Sequence, residues 1–185
     1  MKKIVLVGTA CLALLFACKK ERSNDKFLIS DDRVGFLTKD SQVRELDSVF
    51  REDSIVIKKS RELFAGENQI TVYSKEGHPL LMLAPVQSFD STSTIGNIRI
   101  IDTRFKTESG LGVSSTFKDI LSNYDISRIE NTLDAAVIFI DKINAYVTID
   151  KKNLSKKFQN NTSMNIEISD IPETAPIKYF WIGWE

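Results

Sequence analysis

The sequence predicts an α+β fold, a mainly antiparallel sheet with a few short helices on one face. Two kinds of pattern carry that expectation. Apolar and β-branched runs of strand length recur along the chain between turn compositions, and two short stretches instead space their apolar residues at i, i+3, i+7. The two patterns alternate in the same order in each half of the chain, so one core can be covered by helices on one side of a sheet.

The amino terminus comes before any of these elements. Met1-Lys2-Lys3 gives a positive start and Ile4 to Ala17 follow without a charge, the layout of a secretory signal. Spanning a bilayer takes roughly 20 apolar residues. This run is shorter, and Lys19, Lys20 and Glu21 follow directly after Cys18. Leu15-Phe16-Ala17-Cys18 resembles the lipobox of bacterial lipoproteins, with an aliphatic residue, then a small residue before the cut, then cysteine. The resemblance implies a signal peptide over residues 1–17 and a diacylglycerol on the Cys18 thiol, with a further acyl chain such as palmitate on the new amine. Chains adding about 0.8 kcal/mol per buried methylene hold a soluble domain to a membrane essentially permanently. In the Gram-negative sorting pattern, aspartate beside the lipidated cysteine retains a protein in the inner membrane. Lys19 at that place implies the outer membrane, on its periplasmic side.

Charge is balanced, with 25 basic and 25 acidic residues in the full chain. A nucleic-acid binder would show a basic face or stripe, whereas here the basic residues are scattered among acids, so no nucleic-acid partner is expected. Of the two cysteines, Cys11 lies in the signal and Cys18 at the cut, which leaves the mature domain without a thiol for a disulfide, a metal or a nucleophile. Residues 18–26 form the lipidated cysteine and a charged tether, Lys19 to Lys26 reading KKERSNDK. Such a stretch buries too little to order itself, and eight residues reach at most about 28 Å. Residues 27–185 suffice for a single domain.

Within that domain, Ser41 is read as the N-cap of a short helix whose apolar face is Val43, Leu46 and Phe50. Ile55-Val56-Ile57, Gln69 to Tyr73, Leu80 to Val86 and Ile95 to Ile101 read as strands. Gly66-Glu67-Asn68 and Lys75 to Pro79 are turns between them. Thr116 then opens a capping box with Asp119, and Phe117, Ile120 and Tyr124 repeat the helical spacing. Ala136 to Ile140, Ala145 to Ile149 and Pro176 to Trp184 are the later strands, with Lys151 to Ser163 a polar excursion between them. In the last strand Ile177, Tyr179 and Trp181 share one phase, opposed to Lys178, Phe180 and Ile182. Superposing the helices aligns Ser41 with Ser115 and brings Gly35 near Gly112 after a three-residue insertion, which suggests two similar halves, 27–104 and 105–185.

Few residues point to chemistry. Gly110-Leu111-Gly112-Val113-Ser114-Ser115 has the glycines of a phosphate cradle, but the third fingerprint glycine and the P-loop lysine are missing. A tight turn and a helix cap explain the segment better. His78 is the single histidine, set between Gly77 and Pro79 in a polar turn, which rules out a histidine-rich metal site. Asp31, Asp32 and Asp90 lie in loops and show no pairing that would mark them as catalytic carboxylates. No catalytic set, metal site or cofactor is expected. The dense aromatic end, Tyr179, Trp181 and Trp184, is the candidate interaction surface, because tryptophan and tyrosine are favoured interface anchors. Trp184, beside the chain end, is the preferred anchor.

The lipobox, the Lys106 to Thr116 loop before a short helix and the Ile171 to Ile177 approach to a last strand resemble Gram-negative envelope lipoproteins. The architecture is similar to tandem helix-plus-sheet modules of the β-lactamase-inhibitor and outer-membrane assembly lipoprotein type. That resemblance implies a non-enzymatic binding or accessory module with an envelope protein or glycan partner. A small hydrolase using carboxylates alone, or an inhibitor presenting a protruding loop to an enzyme, are the alternatives.

Overall fold

The structure is a computed structural model that describes residues 25–59, 68–159 and 161–184. The signal segment, Cys11, Cys18 and the Gly66-Glu67 turn lie outside these residues. Three two-residue strands come first, β1 (Leu28–Ile29), β2 (Arg33–Val34) and β3 (Leu37–Thr38). A 3-10 turn over Val43–Glu45 runs into α1 (Leu46–Val49). Four strands follow, β4 (Ser54–Lys59), β5 (Asn68–Tyr73), β6 (Pro79–Pro85) and β7 (Ile95–Ile100). After β8 (Lys106–Thr107) and α2 (Phe117–Asn123), the chain makes β9 (Arg128–Asn131), β10 (Ala135–Ile140) and β11 (Ala145–Asp150). It closes with α3 (Lys156–Gln159) and β12 (Tyr179–Gly183). No helix of the described residues is long and apolar enough to cross a membrane.

Two sheets result, and the α+β expectation holds. The main sheet has the order β4-β5-β6-β7-β12-β11-β10-β9 and is antiparallel throughout; the small one is β3-β2-β1-β8. Each half of the chain thus contributes a short helix and a four-strand meander, and the meanders join where β7 pairs with β12, Ile98 opposite Ile182 and Ile100 opposite Phe180.

Side chains alternate between the faces of a strand, so one phase of every strand faces the core. The register lines up Val72, Leu81, Ile100, Phe180, Val147 and Ile138 in a row across six strands, all of them buried. Leu46 and Phe50 from the first helix, Phe117 and Ile120 from α2, Phe158 from α3, and Ile29 and Leu37 from the small sheet complete the same cluster. The helices and the small sheet therefore cover one face only. Glycine is needed where the covering loops approach one another. Gly35, at φ +59°, leaves no room for a Cβ against the Lys26 carbonyl, and a Cβ on Gly112 would come within 2.5 Å of the Phe105 carbonyl oxygen.

The capping box at α2 forms as expected: the Asp119 carboxylate accepts from the Thr116 N–H at 2.7 Å and from its hydroxyl at 3.0 Å. Ser41 does not cap the first helix. Gln42 precedes the 3-10 turn and its N–H donates to Glu45, while Ser41 is buried and its hydroxyl accepts from the Thr38 N–H. The polar excursion from Lys151 is packed rather than solvated, since Leu154 and Phe158 enter the core and the stem of Lys151 is covered. The last strand starts only at Tyr179. Before it the chain runs along the α2 entrance, where Ile177 N–H donates to Ser115 O, and that detour buries Ile177 out of its anticipated phase.

Candidate functional site

The face of the main sheet turned away from the core carries a cross-strand row that the register assembles from distant parts of the chain. Thr71, Met82, Arg99, Trp181, Tyr146, Phe139 and Arg128 stand opposite one another on seven successive strands. The rings stack. Phe139 and Tyr146 have centroids 5.8 Å apart, and so do Tyr146 and Trp181, the latter pair within 5° of parallel. Guanidinium groups close both ends: Arg128 lies 3.5 Å from the Phe139 centroid, and Arg99 sits 3.9 Å over Tyr179 and 5.8 Å over Trp181. Offset stacking and cation–π contacts of this kind are favourable at partly wet surfaces.

The two arginines differ in their surroundings. Arg128 also bonds Glu130 at 2.9 Å, whereas among the described residues no carboxylate stands within ion-pair distance of Arg99. Beside the row, Tyr146 donates its hydroxyl proton to Asn97 Oδ1 at 3.0 Å. Met82, Pro85, Val86, Asn97, Tyr146 and Trp181 line a shallow groove of about 360 Å³ there. Val86 and Phe89 are exposed on the loop at its rim, with Phe89 held at φ +67°. Two further hollows of similar size, one beside Lys26 and Asp53 and one beside Thr107 and Tyr124, lie away from the row. At the far corner of the face the Lys152 backbone N–H, with Lys178 adding, holds the Asp150 carboxyl below the usual aspartate range; Asp150 in turn raises Lys178.

The structure separates the three residues of the aromatic end. Tyr179 and Trp181 lie in the open-face ladder, but Trp184 falls in the other phase, packs against the core cluster and donates from its indole N–H to Asp31 O at 3.2 Å. Arg99, Tyr146, Phe139 and Met82 were not legible as a site, because each is an ordinary residue of its own strand and only register brings them together.

The remaining motifs resolve into turns. Gly110 adopts φ +86°, and most amides of the loop and helix start are already taken: Gly110 donates to Thr107 O, Leu111 to Thr107 Oγ1, Gly112 to Ser115 Oγ, Phe117 to Ala175 O and Lys118 to Glu173 O. Those donors would have to let go of the protein to hold a phosphate. His78 is exposed in the β5–β6 turn, where its carbonyl accepts from Ser74 N–H. Asp31 and Asp32 are exposed, and Asp90 caps its own loop through Thr92 N–H and Oγ1. Among the described residues no group of three or more His, Cys, Asp or Glu is placed to hold a metal.

The chain matches no family model and no curated protein. Among solved structures it is similar to the uncharacterized protein yfeY from Escherichia coli, with a TM-score of 0.51 at 12 % identity over 84 % of this chain and 98 % of that one. At that identity the likeness is one of fold.

Proposed function

Starting from a fold shared over nearly the whole length of an uncharacterised Escherichia coli protein, we propose that the chain is a lipid-anchored binding module of the bacterial envelope. Acyl chains at Cys18 would hold it to the outer membrane, and the open face of its main sheet would receive a protein partner. The observation that carries this reading is the Arg99–Trp181–Tyr146 ladder beside its groove. Arginine, tryptophan and tyrosine are the residue types that dominate binding hot spots, and here they are clustered on the face that the protein's own helices leave uncovered. A protein is favoured over a glycan because the ring faces are covered by neighbours in the stack, which leaves no flat platform for a sugar. Among the described residues no acid pairs with the half-buried Arg99, which suits a partner that brings a carboxylate.

A photo-crosslinking residue at Met82 in the intact envelope tests the site. The expected result is a discrete protein adduct that Arg99→Ala and Trp181→Ala each diminish at least several-fold. No adduct, together with hydrolytic turnover by the purified protein, would overturn the reading. Cys18→Ser tests the anchor separately, and its persistence in the membrane fraction would count against lipidation.

A further inference from the structure

The two ends of the main sheet are built differently. A strand at a sheet edge presents unpaired N–H and C=O groups, and proteins usually guard it with charge, irregularity or a covering loop. The β9 edge is guarded in that way. It carries Arg128 and Glu130, and the Asn131 side chain reaches out to the Asn161 and Met164 carbonyls. The β4 edge carries Ser54-Ile55-Val56-Ile57-Lys58, has no proline and no bulge, and pairs among the described residues only with β5. Its Val56 is 42 % exposed and its Ile57 47 %.

We infer that β4 is a self-association edge, on which a second copy of this chain adds its own β4 in antiparallel fashion to continue the sheet. The strand is complementary to itself in that direction and in no other. Its apolar pattern is symmetric about Val56, so a two-fold axis there sets Val56 against Val56 and Ile55 against Ile57 on the faces those residues already occupy. Its charge runs from Glu52 and Asp53 at the entrance to Lys58 at the exit, so antiparallel pairing puts the lysine end of each copy beside the acidic end of the other. Asp53 is already held by Lys26, which makes the exposed Glu52 the residue that meets Lys58 diagonally across the axis. Parallel addition would set like charges together. Pairing of one short strand is a small interface, at the low end of the size range for specific association. The inference is independent of what binds the open face.

The test is made on the full chain in its own envelope. Residues directly opposite in an antiparallel pair bring their Cα atoms within disulfide range. Under mild oxidation Val56→Cys should therefore give a dimer on non-reducing gels, and Glu130→Cys, on the guarded edge, should not. Adding Glu52→Lys or Lys58→Glu to Val56→Cys should each reduce the dimer several-fold, and the double charge exchange should restore it, a recovery that a folding defect would not show. No dimer from Val56→Cys, an equal dimer from Glu130→Cys, or a disulfide from Val56→Cys to a different protein would each overturn the inference.

Discussion

Phe180 and Trp181 are neighbours on one strand and do opposite work: Phe180 is fully buried in the core row, while Trp181 stacks on Tyr146 at 5.8 Å on the face that the helices leave open. Truncating the two should separate stability from binding. Phe180→Ala is expected to cost about 3–5 kcal/mol, because it leaves a cavity among Ile100, Val147 and Ile182. Trp181→Ala should cost about 1 kcal/mol, the scale of the stacking it loses. Urea unfolding of the two variants checks this, and similar losses would mean that the open face is not open.

Trp184 should behave as a latch of the fold. Its indole packs on the core cluster and its N–H ties the main sheet to the loop between β1 and β2. Trp184→Ala is expected to lower stability by about 2 kcal/mol and to leave the adduct formed at Met82 unchanged. Loss of the adduct with unchanged unfolding would return Trp184 to the interaction surface.

Lys26 ties the first described residues to the turn before β4. Its Nζ lies 2.8 Å from Asp53 Oδ1, and the Asp53 side chain is only 3 % exposed. Lys26→Met strands that carboxylate and should cost roughly 1–3 kcal/mol. Lys26→Met with Asp53→Leu should recover most of the loss, since both partners are then apolar. A double variant less stable than the single would contradict the account.

The glycine loop is a packing device, so Gly112→Ala should destabilise by about 1–3 kcal/mol as the new methyl meets the Phe105 carbonyl. Gly77→Ala, where a Cβ meets nothing, is strained only by its φ of +83° and makes a useful comparison. The greater loss is expected at Gly112 in thermal unfolding, because a backbone carbonyl cannot rotate aside.

Acid should weaken the fold through several aspartates at once. Hydrogen bonds from Arg104 hold Asp102 below the usual aspartate range, those from Thr116 lower Asp119, and those from Lys157 and the Glu167 N–H lower Asp170. A lowered folded-state value means that the ionised form is favoured by folding. The contribution is complete above the unfolded aspartate value near 3.9 and is lost as pH falls through the lowered folded values. The urea midpoint should accordingly drop below about pH 4, and less steeply in Arg104→Ala. A midpoint that rises on acidification would show the sign to be wrong.

Much of the fold was legible because each of these elements carries its own period. The strands β4 to β7, β10 and β11 and the Thr116–Asp119 cap declared themselves through local alternation and local hydrogen bonding, which need no knowledge of neighbours. Shorter pieces escaped. The two-residue strands of the small sheet contain less than one period, and β9 has a single apolar side chain turned inward, Ile129, set opposite Ile138. Ser41 misled because Gln42, one residue later, is where the chain turns into the helix.

The sequence by itself determined the α+β class, the order of helix and strands in each half, and that Phe180 and Ile182 oppose Tyr179 and Trp181 in phase, since hydrophobic periodicity is a property of consecutive residues. Only the tertiary structure decided that Trp181 and Trp184 point to opposite sides, and that Arg99, Trp181, Tyr146 and Phe139 meet in one stack. Those contacts depend on strand register, and register is set by how eight strands share one core rather than by the residues of any one of them.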